Sequence, residues 1–533
     1  MAEGLETTFR VLAKTDNESA VRVLISALDS PGATIREGAL IAILTRRSVS
    51  GGQELLRRLD AMPQRWRDII REQPNRMTAT LRDTIVGDDL QMSLKACRAA
   101  VVFGDYDLVP SLLTVMEEDT GEKGQAAAKA MLEMIGHLYE ELAGSREHGR
   151  RRDPQSVRQY TVSSLEGSVK RFGRHQRREV IEAFLLLVAH DNVTLKQVLQ
   201  NPHHVAFLAT MDVLSKNESG GVVRLLLGSL SDPHVPSAGL SVISGRSDPK
   251  FVNHLLRKVG HEPSEAVAQN LKRITSIAWL RDGTGFLQQL DDEAQHGAVQ
   301  LVMNSGLPRA QVFEVVKYLL LHGKPPGRRA AGKALAAFAG TEANVLALTS
   351  LDDPDPQVQA AVAVQLRRRG IPGVLPRLVE LVDSPHQIVR DAARECLEEF
   401  SFKRFVGAFD ILEDEVRQTT AMLVKKIDPR VVPLLQEELR SAVRSRRMRG
   451  LAMAQAIDLV EQVEETIIEM LADGDHLVRS EAATVLRLCA SEASRLALRH
   501  ATEDSSHAVR EAAVNSLQTR DAIIENRNEP ANS

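Results

Sequence analysis

The sequence predicts an all-α protein, a solenoid of stacked antiparallel helix pairs, and three observations predict it. Apolar residues recur at three- and four-residue spacing in short runs, and the runs are separated by turn residues. Pairs of such runs repeat about every 30 residues, the range in which one unit buries its apolar face only against stacked neighbours. Rings are scarce: Phe, Tyr and Trp make up 4% of the 533 residues although 43% are apolar. Helix axes about 8 to 10 Å apart leave room for Leu, Val and Ala between layers but little for rings, so the composition follows from the architecture.

The clearest unit runs from Pro372 to Phe400. Val374, Leu375, Leu378, Val379, Leu381 and Val382 keep helical spacing, Asp383-Ser384-Pro385 interrupts, and Val389, Ala392, Ala393, Cys396, Leu397 and Phe400 resume it. Pro385 has no amide hydrogen to donate, and Asp383 and Ser384 can accept from free amides, so one helix ends there and another begins. The same punctuation stands at Leu28-Asp29-Ser30-Pro31, Leu230-Ser231-Asp232-Pro233 and Leu351-Asp352-Asp353-Pro354. Second helices align on Val358, Val389, Val416, Met448, Val478 and Val509, at successive intervals of 31, 27, 32, 30 and 31 residues.

These residues carry a resemblance. An apolar-apolar-Pro start to the first helix (Leu108-Val109-Pro110, Val374-Leu375-Pro376, Val431-Val432-Pro433) precedes a turn Asp and a Val-Arg opening of the second (Val389-Arg390, Val416-Arg417, Val478-Arg479, Val509-Arg510). The pattern resembles the HEAT repeat of the armadillo-type α-solenoids, and Ile35-Arg36 fits it as well. The resemblance implies a right-handed superhelix and a ladder in which turn Asp and Arg bond between successive repeats. Asp383 with Arg390, Asp473 with Arg479 and Asp504 with Arg510 stand at the matching positions. Gln359 follows Val358 where Arg is expected, so the ladder would be interrupted there.

Regularity divides the chain. Residues 1–145 read as N-terminal helical repeats, 146–178 as a basic loop or break between segments, and 179–340 as degenerate repeats. Residues 341–520 read as regular repeats and 521–533 as a frayed polar tail. In the stretch 146–178, ten Lys and Arg face three acids, and Gly149, Asp153-Pro154 and Thr161 to Ser164 suggest turns.

The rest of the sequence excludes more than it assigns. The N-terminal residues show no basic flank followed by an apolar core, and no apolar run approaches the roughly 18 to 20 residues of a membrane span. A cytoplasmic location is the expectation. Cys97, Cys396 and Cys489 stand alone and far apart, as reduced structural thiols do. No phosphate-binding glycine loop and no nucleophile elbow occur. His203-His204 and the Glu133/His137 pair lack the further ligands a zinc site needs. The carboxylate runs Glu117 to Asp119, Asp291 to Glu293 and Glu413 to Glu415 fall at loops or helix ends, where they serve solubility or the helix dipole. No catalytic, cofactor-binding or metal-ligating residue is expected, and no cofactor.

Two basic clusters remain as candidate sites for an acidic protein surface or a polyanion: Arg150, Arg151, Arg152, Lys170, Arg171, Arg174, Arg177 and Arg178, and then Arg444, Arg446 and Arg447. The expected function is a non-catalytic scaffold whose partners are proteins. Nucleic-acid binding is the alternative, since HEAT-like DNA glycosylases use a basic concave face, although the clusters hold only Tyr160 and Phe172 as stacking rings. A third reading is a protein of the phycobilisome-lyase kind, resembled in repeat type alone.

Overall fold

The computed structural model describes residues 3–144 and 153–528, and side chains as far as residue 519. Among the described residues there are helices and turns and no strand. The chain forms two compact units, Met1–Val315 and Val316–Ser533.

In the first unit, successive helices joined by short turns pack on one another and on the next pair. Helix Glu122–Ala143, for instance, rests on Leu90–Phe103, Val109–Glu118 and Arg178–Leu187. Its buried residues Ala127, Ala130, Met131, Met134, Ile135 and Leu138 trace the inner face at helical spacing. Small side chains bring backbones close: a Cβ on Gly297 would lie 2.0 Å from the Leu256 carbonyl oxygen of the neighbouring helix.

The second unit shows the repeat in its plainest form. Helix Val374–Leu381 buries Val374, Leu378 and Leu381, and Gln387–Cys396 buries Val389, Ala392 and Ala393. The aligned positions Val358, Val416, Met448, Val478 and Val509 all fall in second helices as the spacing predicts. Three of its rings gather where one first helix, Phe402–Ala408, is short: Phe402, Phe405 and Phe409 fill that layer, with Phe405 and Phe409 edge-on at 5.4 Å.

Three boundaries differ from the sequence reading. Residues 154–170 are a helix, Pro154–Lys170, and not a loop, because Asp153 accepts from the Gln155 and Ser156 amides and Pro154 takes the first helical position. This helix packs on Val109–Glu118, Glu122–Ala143 and Arg178–Leu187, so the stretch 153–178 continues the stack; the division falls instead between Val315 and Val316. The last helix, His507–Asn528, also extends past residue 521, where a frayed tail was expected. Residues 145–152 and 529–533 lie outside the described residues.

Candidate interaction surface

The turn Asp and the second-helix Arg do form a ladder, but with a different partner from the one in the same repeat. Arg479 donates to Asp504 of the next turn, Nε to Oδ2 at 2.8 Å and Nη2 to Oδ1 at 2.9 Å, and through Nη1 to the carbonyl of Asp473 at 2.9 Å. Arg447 stands likewise against Asp473, and Arg328 against Asp353 at 2.9 and 3.2 Å. Each turn Asp also accepts from the amide two residues on, 2.7 to 2.9 Å away, so one carboxylate shapes its own turn and receives the preceding layer. Asp473 with Arg479 and Asp504 with Arg510 are therefore joined only through the Asp carbonyls, at 2.9 and 2.7 Å.

At Asp383 and Arg390 the expected rung is missing. Gln359, in the place of the upstream Arg, keeps the bond to its own turn carbonyl at 2.7 Å. Ser384, six residues before Arg390 as Asp473 is before Arg479, stands where the turn carboxylate would be, while Asp383 pairs with Lys426 at 2.6 Å. Arg390 holds the Ser384 carbonyl at 2.7 Å and bonds Gln387. In the short unit that follows, Arg417 takes the carbonyls of Phe409 and Leu412, and among the described residues no carboxylate reaches Arg390.

Elsewhere a second device replaces the ladder. Cationic or amide side chains cap the last carbonyls of a helix in the neighbouring layer, groups that a helix leaves without internal partners and that carry its negative dipole end. Arg246, almost wholly buried, donates to the Leu214 and Asn217 carbonyls at 3.0 and 2.8 Å, to Asp248 at 2.8 Å, and lies over the Phe251 ring. Lys123 caps Val86 and Gly87, Arg369 caps Leu335 and Phe338, and Asn270 caps Leu230 and Asp232.

Both devices consume the basic clusters. Arg171 forks onto Glu117 at 3.0 and 2.8 Å. Burial pushes the Glu117 carboxyl up, but hydrogen bonds from Arg171 and Ser168 and nearby positive charge together hold it below the ordinary range. Arg177 caps the Met116 and Asp119 carbonyls, and Arg178 meets Glu182 at 3.1 Å and Asp212 at 2.7 Å. In the second cluster Arg444 pairs with Asp475 at 3.1 Å, Arg446 with Glu438 at 2.9 Å, and Arg447 is a ladder rung with its side chain 16% exposed. The hydrogen bond from Arg446 is the main reason that the Glu438 carboxyl sits below its usual range. These residues bond acids or carbonyls within the chain; Lys170 and Arg174 are exposed. Arg150, Arg151 and Arg152 lie outside the described residues.

A groove that the sequence did not reveal lies in the first unit. Its volume is about 1140 Å³, and helices Ala33–Arg46, Gln64–Glu72 and Leu90–Phe103 all end at it. Buried Met77, Leu81, Phe103 and Tyr106 line its apolar part, whereas Arg47, Glu72, Arg76, His137 and Glu141 bring mixed charge. Arg47 and Asn75 border it in the left-handed region, at φ 56° and 68°, and the buried Asn75 Oδ1 accepts no hydrogen bond. His137, which sequence spacing offers only as a weak partner for Glu133, is one of the exposed groups here. Among the described residues no three His, Cys, Asp or Glu side chains converge as a metal site would need, and no helix is long and apolar enough to cross a membrane.

Residues 313–398 match the family of HEAT repeats. No curated protein matches the chain. Among solved structures, it resembles one reported for a phosphorylation switch in the interaction between cadherin and beta-catenin, at 12% identity over 94% of this chain and 99% of that one, with a TM-score of 0.38. It also resembles the crystal structure of Kap121p, at 14% identity over 98% of this chain and 54% of that one, with a TM-score of 0.24. At such scores the fold assignment rests on the helix stacking and the repeat match, not on these likenesses.

Proposed function

From the HEAT-repeat match over residues 313–398 and the stacked helix pairs, we propose that the chain is a non-catalytic scaffold and that the groove of its first unit takes an extended polypeptide of a partner protein. The groove carries the reading. Its volume of about 1140 Å³ exceeds the roughly 300 to 1,000 Å³ of small-molecule sites. Its apolar part suits side chains, and its mixed charge suits a chain bearing both signs. The three helix ends supply carbonyl-rich, partially negative edges, which favour backbone amides and cationic side chains. A polyanion would instead need the clustered arginines, and among the described ones Arg171, Arg177, Arg178, Arg444, Arg446 and Arg447 already bond acids or carbonyls.

The test is site-specific photocrosslinking in the full chain. A photoreactive phenylalanine at Arg76 or His137 should capture a defined peptide of one partner protein, and the same group at exposed Lys250 should not. Equal capture at both places, or capture of nucleic acid at the groove, would refute the reading.

A further inference from the structure

The described part of the basic stretch holds six cations, and the contacts above divide them. Arg158 donates to the Leu187 carbonyl at 2.8 Å, and Arg171, Arg177 and Arg178 are bound to acids or carbonyls. Lys170 and Arg174 are exposed, and among the described residues neither has a carboxylate at ion-pair distance. They flank Gly173, the residue on which another part of the chain rests. A Cβ on Gly173 would lie 3.3 Å from Val205 Cγ1, so the turn that carries Val205 lies directly against this backbone. Val205 is 57% exposed and Leu208 78%. Val205 lies in the turn before helix Phe207–Lys216, and Leu208 is the second residue of that helix.

An exposed aliphatic side chain, Val205, thus rests against the segment that carries two uncompensated positive charges, and a second, Leu208, is exposed three residues further along the chain. We propose that this patch binds an acidic amphipathic segment of a partner protein, with leucine-like side chains covering Val205 and Leu208 and carboxylates meeting Lys170 and Arg174. Charge complementarity selects the acid, and the exposed aliphatics select the amphipathic pattern. A membrane surface fits less well: stable interfacial binding uses aromatic or long apolar anchors with a larger basic patch, and Phe172 beside this patch is buried. The inference rests on the scaffold reading but uses the end of helix Pro154–Lys170 opposite to the one bordering the groove, where Pro154 and Val157 lie.

The probe is a short fluorescent peptide in which leucine pairs alternate with aspartate and glutamate, titrated against the full chain by anisotropy. Binding is expected, weakening with added salt. It should fall about tenfold, or about 1.4 kcal/mol, in the double variant Lys170→Glu/Arg174→Glu and again in Leu208→Ser, but not in Lys250→Glu. Far-UV circular dichroism verifies that each variant folds. A peptide with serine for leucine, or lysine for the acids, should not bind. No binding by the parent chain, binding that the variants retain, or binding only to vesicles of phosphatidylcholine with phosphatidylserine would overturn the proposal. A failed crosslink at Arg76 and His137 refutes the groove alone, because this titration reads positions outside it.

Discussion

Arg479 and Asp504, 25 residues apart, close a two-point ion pair between successive turns, with both side chains 13% exposed. Arg390 occupies the equivalent helix position and bonds the Ser384 carbonyl and Gln387, with no carboxylate among the described residues. Two arginines that each follow a valine in a second helix therefore do different work: Asp473 stands six residues before Arg479, and Ser384 stands there before Arg390.

Arg479→Ala should lower stability by about 1 to 3 kcal/mol, since it leaves Asp504 without its main partner. Arg390→Ala should cost less than about 1 kcal/mol, the net value of an ordinary hydrogen bond. Urea midpoints for the two variants test the contrast; equal losses would mean that the rung contributes nothing specific.

The same pair predicts a pH dependence. The hydrogen bond from Arg479 draws the Asp504 carboxyl from 3.8 down to about 2, with burial opposing and the Ser506 amide assisting. A carboxyl whose folded value is depressed stabilises above its unfolded value and loses that contribution as pH falls through the folded one. The stability gap between the parent chain and Asp504→Asn should be constant above pH 5, shrink below 3.8 and close near 2. A gap that does not change over this range would contradict the pairing.

Arg246 tests the carbonyl-capping device. Arg246→Ala strands the Leu214 and Asn217 carbonyls and Asp248 in a buried position, a loss of about 3 to 5 kcal/mol. Arg246→Lys should recover only part of it, because a point charge cannot serve three acceptors that a planar fork reaches together. Chemical denaturation of both variants, with Arg257→Ala at an exposed position as reference, measures the difference.

Two glycines should respond in opposite directions. Gly297→Ala places a methyl against the Leu256 carbonyl oxygen and should destabilise by about 1 to 3 kcal/mol through forced separation of the helices. Gly136→Ala, inside helix Glu122–Ala143 with nothing within 4 Å, should stabilise by about 0.5 to 1 kcal/mol. Thermal midpoints report both signs.

The stacking of helix pairs was legible because it depends on side-chain periodicity, which sequence carries directly. The turn signals at Pro385 and Asp383 and the aligned positions from Val358 to Val509 each mark a real element. The ladder was half legible. Residue types identified the rungs Arg479 and Asp504, but the pairing depends on how one layer is offset against the next, and spacing within a repeat does not encode that offset. Asp153-Pro154 reads as a turn although it also spells a helix start, and only the packing of Pro154–Lys170 decides between the two. Counting arginines could not show that Arg447 and Arg177 are committed, since the acceptors include main-chain oxygens. The groove arises where helix ends meet across layers, so no local motif announces it.

Main-chain oxygens are present whatever residue a position carries. An arginine such as Arg246, which seals the end of an adjoining helix, thus tolerates drift in the amino acids it touches, while Arg479 demands an aspartate at one place. Layers sewn by the first kind of stitch can lose every recognisable signature and still hold, and protein engineers could graft that stitch between modules without matching their sequences.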